Sequence, residues 1–555
     1  MILEYKFEYI SNNNTLINFF ANIAKKEDIN VKLTKSNNEI NFYVEGDEDQ
    51  LLSFSDKLSI DLPVSMFLKN TSVDVAQEIP TNSTELDIKK EYNLSFCPTC
   101  MNEVDNKNSN NYYNPFTTCE MCTDTSNIKE LIITQNGNTE HTKKYEEVFE
   151  KLANDINDGL KVKIKTLSGV FVFEKIDNLK EQNEQKDVNL LCLNLINISN
   201  VLVAKKSEVV ALASIEKPEL ELRINEVYKY KNIIKTDIVN VRYLNDLILF
   251  LLSKHLIAHG IDFLSYSKDG SFDISVDFEG FEESEKIDIP KIKVLDNDRV
   301  VVLDSNNYEN KLTTLYEKFD EESQKQSIVL LGENDLFKKK ILNFFNSSEY
   351  DDNIVLYSND LGGFLDILKY TVPNSMQELF DEISDDETGG KLLINFKKHF
   401  PGCYENALKF DTSVLTKNSL LSLWKIVSAV LDFEDDVISL ASACMLEKGP
   451  RIDYKLLEQE EIYNKTFNLV KFIKSGISFK LAGVENSTIS LGYIESYTHF
   501  VANIIDEVNE EVVLDGVSLS GDIFSHDIIS TLLHKSITKN YKIFYNKDFP
   551  IQITK

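Results

Sequence analysis

Four cysteines in the stretch FCPTCMNEVDNKNSNNYYNPFTTCEMC, residues 96–122, constrain this chain more than any other feature. Each CxxC turn can aim two sulfurs at one point. Two such turns complete a tetrahedral set of thiolates, the coordination Zn²⁺ accepts. Eighteen residues separate the turns. Four protein ligands close the coordination shell, so Cys97, Cys100, Cys119 and Cys122 read as a structural zinc site rather than a catalytic one. Another metal or cluster ranks second. A redox role ranks third, because a thioredoxin-type motif has one CxxC opening a helix and a reducing compartment disfavours disulfides. Cys192, Cys403 and Cys444 are scattered in apolar surroundings and read as ordinary buried thiols.

At 555 residues the chain is too long for one hydrophobic core, so several domains are expected. No apolar run reaches the roughly 18 residues of a membrane helix. The opening MILEYKFEYI reads as a strand rather than an export signal, and the cytoplasm is the expected location. Ninety acids against 59 bases, a net charge of −31, argue against a nucleic-acid partner, which needs a basic face. Only four of the bases are arginine (Arg223, Arg242, Arg299 and Arg451). Lysine cannot supply the planar bidentate fork that a guanidinium offers to phosphate.

Periodicity places elements along the chain. Residues 1–79 read as βαββαβ, a ferredoxin-like order: ILEYKFEYI alternates, TLINFFANIAKK has helical apolar spacing, and a hairpin turns at Ser36–Asn38. Residues 80–93 form a polar linker. RYLNDLILFLLSKHLIAHGIDFL (242–264) is a strongly apolar helix ending at Gly260. It carries His255 and His259 at i, i+4; this spacing can hold a metal, but it equally suits the negative end of a helix. The acid runs EYDD (349–352), DEISDDE (381–387) and LEQEE (457–461) read as solvated surface.

The loop between the cysteine pairs, NYYNPFTTCEMC, resembles the zinc fingers of the HypF family, the carbamoyltransferases of [NiFe]-hydrogenase maturation. Module order extends the likeness. The first 79 residues look like that family's acylphosphatase domain. Lys165, Gly169 and Phe171 match its YrdC-like segment, with Ser168 in place of a glycine. SIVLLGENDLFKKKI…NIVLYSNDLGGF follows its ASKHA-type domain as strand, turn, helix and strand. GVSLSGDIFSHDIIS matches the strand-to-helix turn where that domain holds adenine nucleotide; Gly521 takes the first glycine of the pair and Asp522 replaces the second.

The resemblance implies an α+β multidomain protein. Its modules are an acylphosphatase-like domain at 1–79, a zinc finger at 80–130 and a shortened YrdC-like domain at 140–235. A connecting α/β region at 236–325 leads to an ASKHA-type domain with RNase-H-like lobes at 326–555. It also implies ATP and carbamoyl phosphate as ligands, a HypE-like carrier protein as partner, and Gly521 at the nucleotide. The departures fall on the chemistry. The loop Ser11–Thr15 has no glycine and no arginine. Only His399 stands where a histidine metal motif belongs, and no glycine-rich phosphate loop follows it; Gly389-Gly390 comes after an acid run. The expectation is a scaffold with degenerate catalytic sites and a binding or assembly role. An active transferase with divergent residues and an unrelated zinc-ribbon scaffold are the alternatives.

Overall fold

In the opening strand, Ile2–Tyr9, Tyr5, Phe7 and Tyr9 are buried while Lys6 and Glu8 between them face away. Helix Thr15–Lys26 buries Leu16, Phe19, Phe20 and Ile23 at the i, i+3, i+4, i+7 spacing of an amphipathic face. Phe20 stacks on Phe42 with ring centroids 3.8 Å apart. Phe54 of helix Glu48–Asp61 closes on Tyr5 at 5.9 Å. Rings fully buried in this way contribute about 1.5–3 kcal/mol each. The sheet runs Leu68–Ala76, Ile2–Tyr9, Glu39–Glu45, Val31–Ser36, Thr84–Glu85, antiparallel throughout. The expected βαββαβ order is thus present.

The structure is a computed structural model, and it describes every residue except 37, 87–92, 182–184, 186, 307–309, 320–321, 459–462 and 553–555. The tip of the 31–45 hairpin, part of the 80–93 linker and most of the LEQEE run therefore lie outside the described residues. The chain divides into two units, residues 1–294 with 304–309, and residues 295–303 with 310–555.

A second, mixed sheet fills the rest of the first unit. Its path is Lys291–Val294, Glu219–Ile224, Ile238–Tyr243, Asn189–Cys192, Phe263–Ser267, Gly169–Lys175, Val162–Thr166, Ile274–Asp277, Leu131–Gln135, Asn138–Thr142. Residues 236–294, expected as a connecting region, thus supply four strands of the same sheet as residues 131–224. The apolar helix is Leu247–Ala258, shorter than the 242–264 expected, because Arg242 and Tyr243 end a strand. It opens at Asp246, whose buried carboxylate accepts from the Leu249 amide at 2.9 Å and the Leu167 amide at 3.2 Å. It packs with helix Tyr145–Asn157 over Phe149, Leu152, Leu251 and Leu256.

The second unit is built on one six-stranded sheet: Lys465–Thr466, Gly363–Lys369, Asn353–Ser358, Ile341–Phe345, Gly516–Ser520, Ile543–Phe544. The middle three of the early strands form an antiparallel meander; Gly516–Ser520 and Ile543–Phe544 then add in parallel. Two sequence expectations change here. Residues Ser327–Leu331, read as a strand before a polar turn at Gly332, lie in helix Glu322–Glu333, because a short continuous apolar run has the same pattern in a buried helix. A pair of lobes would need two sheets, and among the described residues this unit has one. The stretch between Gly363–Lys369 and Gly516–Ser520 is mainly helical, from Met376–Ser384 to the long Asn486–Glu511. Those helices surround a buried aromatic hub in which Trp424 Nε1 donates to the Tyr454 hydroxyl at 2.9 Å.

Candidate functional site

Cys97 caps helix Pro98–Asp105, where Pro98 suits the first helical position because no N–H partner is needed there. That turn brings Cys100 beside it. In the second turn the Cys122 amide donates to the Cys119 carbonyl at 3.2 Å. The sulfurs converge: Cys97–Cys119 and Cys119–Cys122 are 3.7 Å apart, Cys100–Cys122 is 4.0 Å, and all four lie within 4.8 Å of one another. A tetrahedron with zinc–sulfur bonds of 2.3 Å has sulfur–sulfur edges of about 3.8 Å. The donor set therefore fits a tetrahedral zinc ion. Thiolates this close cannot all ionise unless a cation shares their charge. Hydrogen bonding with Cys100 pulls the Cys119 thiol far down and pushes Cys122 up. Cys97, Cys100 and Cys122 are buried, so the centre is closed to substrate.

The YYNPF stretch seats this knuckle on the apolar helix. Tyr113, held at φ 58°, donates its amide to the Val104 carbonyl at 3.0 Å and pairs its hydroxyl with His255 Nε2 at 2.8 Å. Thr123 returns to the Leu94 carbonyl through its amide at 3.0 Å and its hydroxyl at 2.8 Å. Phe116, Phe149 and Phe278 share one core with Cys97 and Cys100. His255 thus serves packing: burial lowers its pKa, and His259 caps the helix end. Among the described residues, no second group of His, Cys, Asp or Glu side chains is gathered to hold a metal. Cys192 is buried as expected, but Cys403 and Cys444 are only half-buried.

Places where an anion would be expected hold the chain's own acceptors instead. In the Ser11–Thr15 loop, the Asn13 amide donates to Ser11 Oγ at 2.9 Å and the Thr15 amide to Asn13 Oδ1 at 3.0 Å. Gly389 and Gly390 lie in the first turn of helix Glu387–His399, where Asp386 Oδ1 takes the Gly389 amide at 2.7 Å. His399 is exposed at the far end of that helix. Ser168, expected as a replacement for a glycine, accepts from Asn245 Nδ2 at 2.6 Å.

The most developed case is the turn after strand Ile341–Phe345. Gly521 follows the parallel strand Gly516–Ser520 at φ 97°, and a Cβ there would lie 2.0 Å from the Asn346 carbonyl oxygen. Glycine is demanded by this close backbone crossing. Beside it, the Ser348 amide donates to Asp522 Oδ1 at 2.9 Å, and Ser348 Oγ donates to Asp522 Oδ2. Asp352 is buried and accepts from the Ser347 amide at 2.9 Å, the Leu420 amide at 2.7 Å and Asn346 Nδ2 at 2.8 Å. Burial pushes its carboxyl up to about 7, against these donors that favour the charged form. Ser347 Oγ takes the Glu349 and Tyr350 amides at 3.0 Å each. Asn346, Ser347, Ser348 and Asp352 were not anticipated from sequence, and EYDD was read as solvated. The available signal was a short polar Asn-Ser-Ser turn directly after an apolar strand.

No family model matches the sequence. Protein HydE of Wolinella succinogenes is 24% identical over 552 residues, spanning 95% of each chain. The crystal structure of full-length HypF in the phosphate- and nucleotide-bound form superposes with a TM-score of 0.61 at 12% identity, over 99% of this chain and 96% of that one. T. kodakarensis HypF gives 0.58 at 12% identity with the same coverage. The fold of this chain is HypF-like along essentially its whole length.

Proposed function

We propose that this chain is a HypF-type protein of [NiFe]-hydrogenase maturation that keeps a structural zinc knuckle and has given up carbamoyl-transfer chemistry. It acts in the cytoplasm as a binding or assembly factor, with a HypE-like carrier protein as its partner. The full-length fold likeness and the four-sulfur geometry support the family context. The strand order of residues 1–79 supports an acylphosphatase-like domain, and the mixed sheet from Leu131 on supports a YrdC-like region. The meander followed by two parallel strands supports one ASKHA-type lobe in residues 326–555.

One observation carries the loss of chemistry: Asp522 occupies Ser348, and Asp352 occupies Ser347 and Leu420. Phosphoryl and adenylyl transfer need backbone N–H groups and cations free to meet developing negative charge. Here carboxyl groups of the chain itself have taken those N–H groups, and a phosphate approaching the turn would have to displace them. ATP and carbamoyl phosphate are therefore ligands of the ancestral reaction in this reading, and zinc is the one resident cofactor. The measurement is carbamoyl-phosphate-dependent exchange of pyrophosphate into ATP by the purified, zinc-loaded protein. Background-level exchange is expected. Exchange well above a no-carbamoyl-phosphate control would establish the active transferase instead.

A further inference from the structure

Residues 448–455 cross the long helix Asn486–Glu511 as an extended segment, pinned at its start where two glycines meet. A Cβ on Gly449 would lie 2.1 Å from the Gly492 nitrogen, and one on Gly492 would lie 2.3 Å from the Pro450 carbonyl oxygen. Only glycine fits either place. Helix side chains hold the segment from there: Glu495 Oε2 takes the Gly449 amide at 2.7 Å, and Ser496 Oγ takes the Ile452 amide at 2.9 Å. Alternation follows from the extended backbone. Ile452 and Tyr454 are buried, whereas Arg451, Asp453 and Lys455 are exposed.

Between this segment and the helix lies a cavity of about 510 Å³, none of whose lining residues belongs to the Gly521 turn. Pockets of about 300–1,000 Å³ suit small molecules. Its floor is apolar, with the rings of Tyr454 and Phe500 5.5 Å apart. Lys448, Arg451 and Lys455 line it from the segment, and His499 from the helix. Among the described residues, none of these three cations has an ion pair or a side-chain hydrogen bond, although the chain carries a net charge of −31. Two carboxylates share the lining: Glu495 is engaged by the Gly449 amide, and Asp453 lies on the outward face with Arg451 and Lys455.

We infer that this cavity binds a small organic anion carrying two or more oxyanion groups, carboxylate or phosphate, with its body on the aromatic floor. Arg451 offers a planar two-donor fork to one such group, and the lysines add point charges. Residues four apart in an extended chain are about 13 Å apart, so Arg451 and Lys455 suit separated charges better than a single one. Asp453 opposes the same ligand and limits its affinity. The inference goes beyond the proposed function and stands whether or not transfer chemistry has been lost.

The floor carries its own reporter. Trp424 is the one tryptophan of the chain, and its Nε1 donates to the Tyr454 hydroxyl at 2.9 Å. The experiment is a fluorescence titration of the full chain with citrate, fructose 1,6-bisphosphate and acetate, at constant ionic strength in KCl. Citrate or the bisphosphate is expected to shift the emission saturably, with an affinity about tenfold or more above that of acetate. Whichever binds better tells carboxylate from phosphate. Arg451→Gln and Lys455→Gln, both at exposed positions, should each weaken that affinity about threefold to tenfold, and Asp453→Asn should tighten it by a similar factor. Lys535→Gln, exposed on helix Asp527–Ile537 and outside the cavity, should leave it unchanged. Trp424 also borders the cavity beside Asp522, so the Arg451 and Asp453 variants place the ligand. The inference is overturned if neither polyanion gives a saturable shift or if acetate matches them. It is equally overturned if the Arg451 and Asp453 variants bind like wild type, or if Lys535→Gln weakens binding as much as Arg451→Gln.

Discussion

The cysteine knuckle and the turn around Asp352 and Asp522 solve opposite problems with the same means, a crowd of acidic groups. At the knuckle four thiols stand within 4.8 Å of one another, and mutual repulsion makes the cluster favourable only around a cation. At the turn, two carboxylates face backbone and side-chain donors that the fold itself supplies. One site is built to need something from outside; the other is already complete. A turn whose donors are consumed internally can keep its outline without offering a free anion site, and only the count of satisfied groups distinguishes the two conditions.

The largest expected effect lies at the knuckle. Cys100→Ser removes a buried ligand, and structural zinc in small fingers contributes about 10–16 kcal/mol of coupled binding and folding. Native mass spectrometry should show one zinc per wild-type chain and essentially none in the variant, with limited proteolysis now cutting between residues 96 and 128. Wild-type protein prepared without chelator and carrying no metal would erase the contrast between the two sites. Next in size is Gly521→Ala. Positive φ and a Cβ driven into the Asn346 carbonyl should cost about 3 kcal/mol, read as a lowered denaturation midpoint. An unchanged midpoint would mean that the crossing which brings Asp522 to Ser348 is looser than described.

A smaller effect follows from Asp352. Burial raises its carboxyl from 3.8 to about 7, so between those values the folded chain holds a proton that the unfolded chain has released. Stability from this group is present at acid pH and is lost as pH rises through about 7. Glu333, buried against the Lys547, Asp548 and Phe549 amides and also raised to about 7 by burial, adds in the same direction. Asp352→Asn lowers overall stability, since one amide loses its acceptor, but flattens the pH profile by up to about 1.4 kcal/mol per pH unit between pH 4 and 7. Denaturant titrations across that range give the slope; identical slopes for the two proteins would remove the buried carboxylate from the account.

How far these sites could be read in the sequence follows from the reach of the forces that make them. The knuckle was legible because CxxC turns are local geometry, and the first βαββαβ run because alternation and 3.6-residue spacing are local too. Gly521 was legible as a position, since the strand-turn-helix around it is contiguous. Its neighbours were not. Asp352 looks like part of a solvated acid run until Leu420, 68 residues away, turns its amide toward it. Asp522 reads as a lost glycine, and only the fold shows that its carboxylate occupies Ser348. The helix at Glu322–Glu333 and, among the described residues, the single sheet of the second unit were hidden for a related reason: apolar runs report burial, and tertiary context decides the backbone.

The smallest effect separates packing from coordination at His255. Its i, i+4 relation to His259 invites a metal, yet its Nε2 meets the Tyr113 hydroxyl at 2.8 Å on the knuckle's flank. A neutral hydrogen bond of this kind contributes about 1 kcal/mol net. His255→Phe keeps the ring against Tyr113 and leaves its hydroxyl without that partner. Stability should fall by about 1 kcal/mol while zinc content stays at one per chain. Tyr113→Phe should cost a similar amount, and the double variant less than the sum, because the two remove one shared interaction. If His255→Phe instead lost metal in proportion to Cys100→Ser, the helix would belong to the coordination shell, and the closed four-sulfur centre would have to be redrawn.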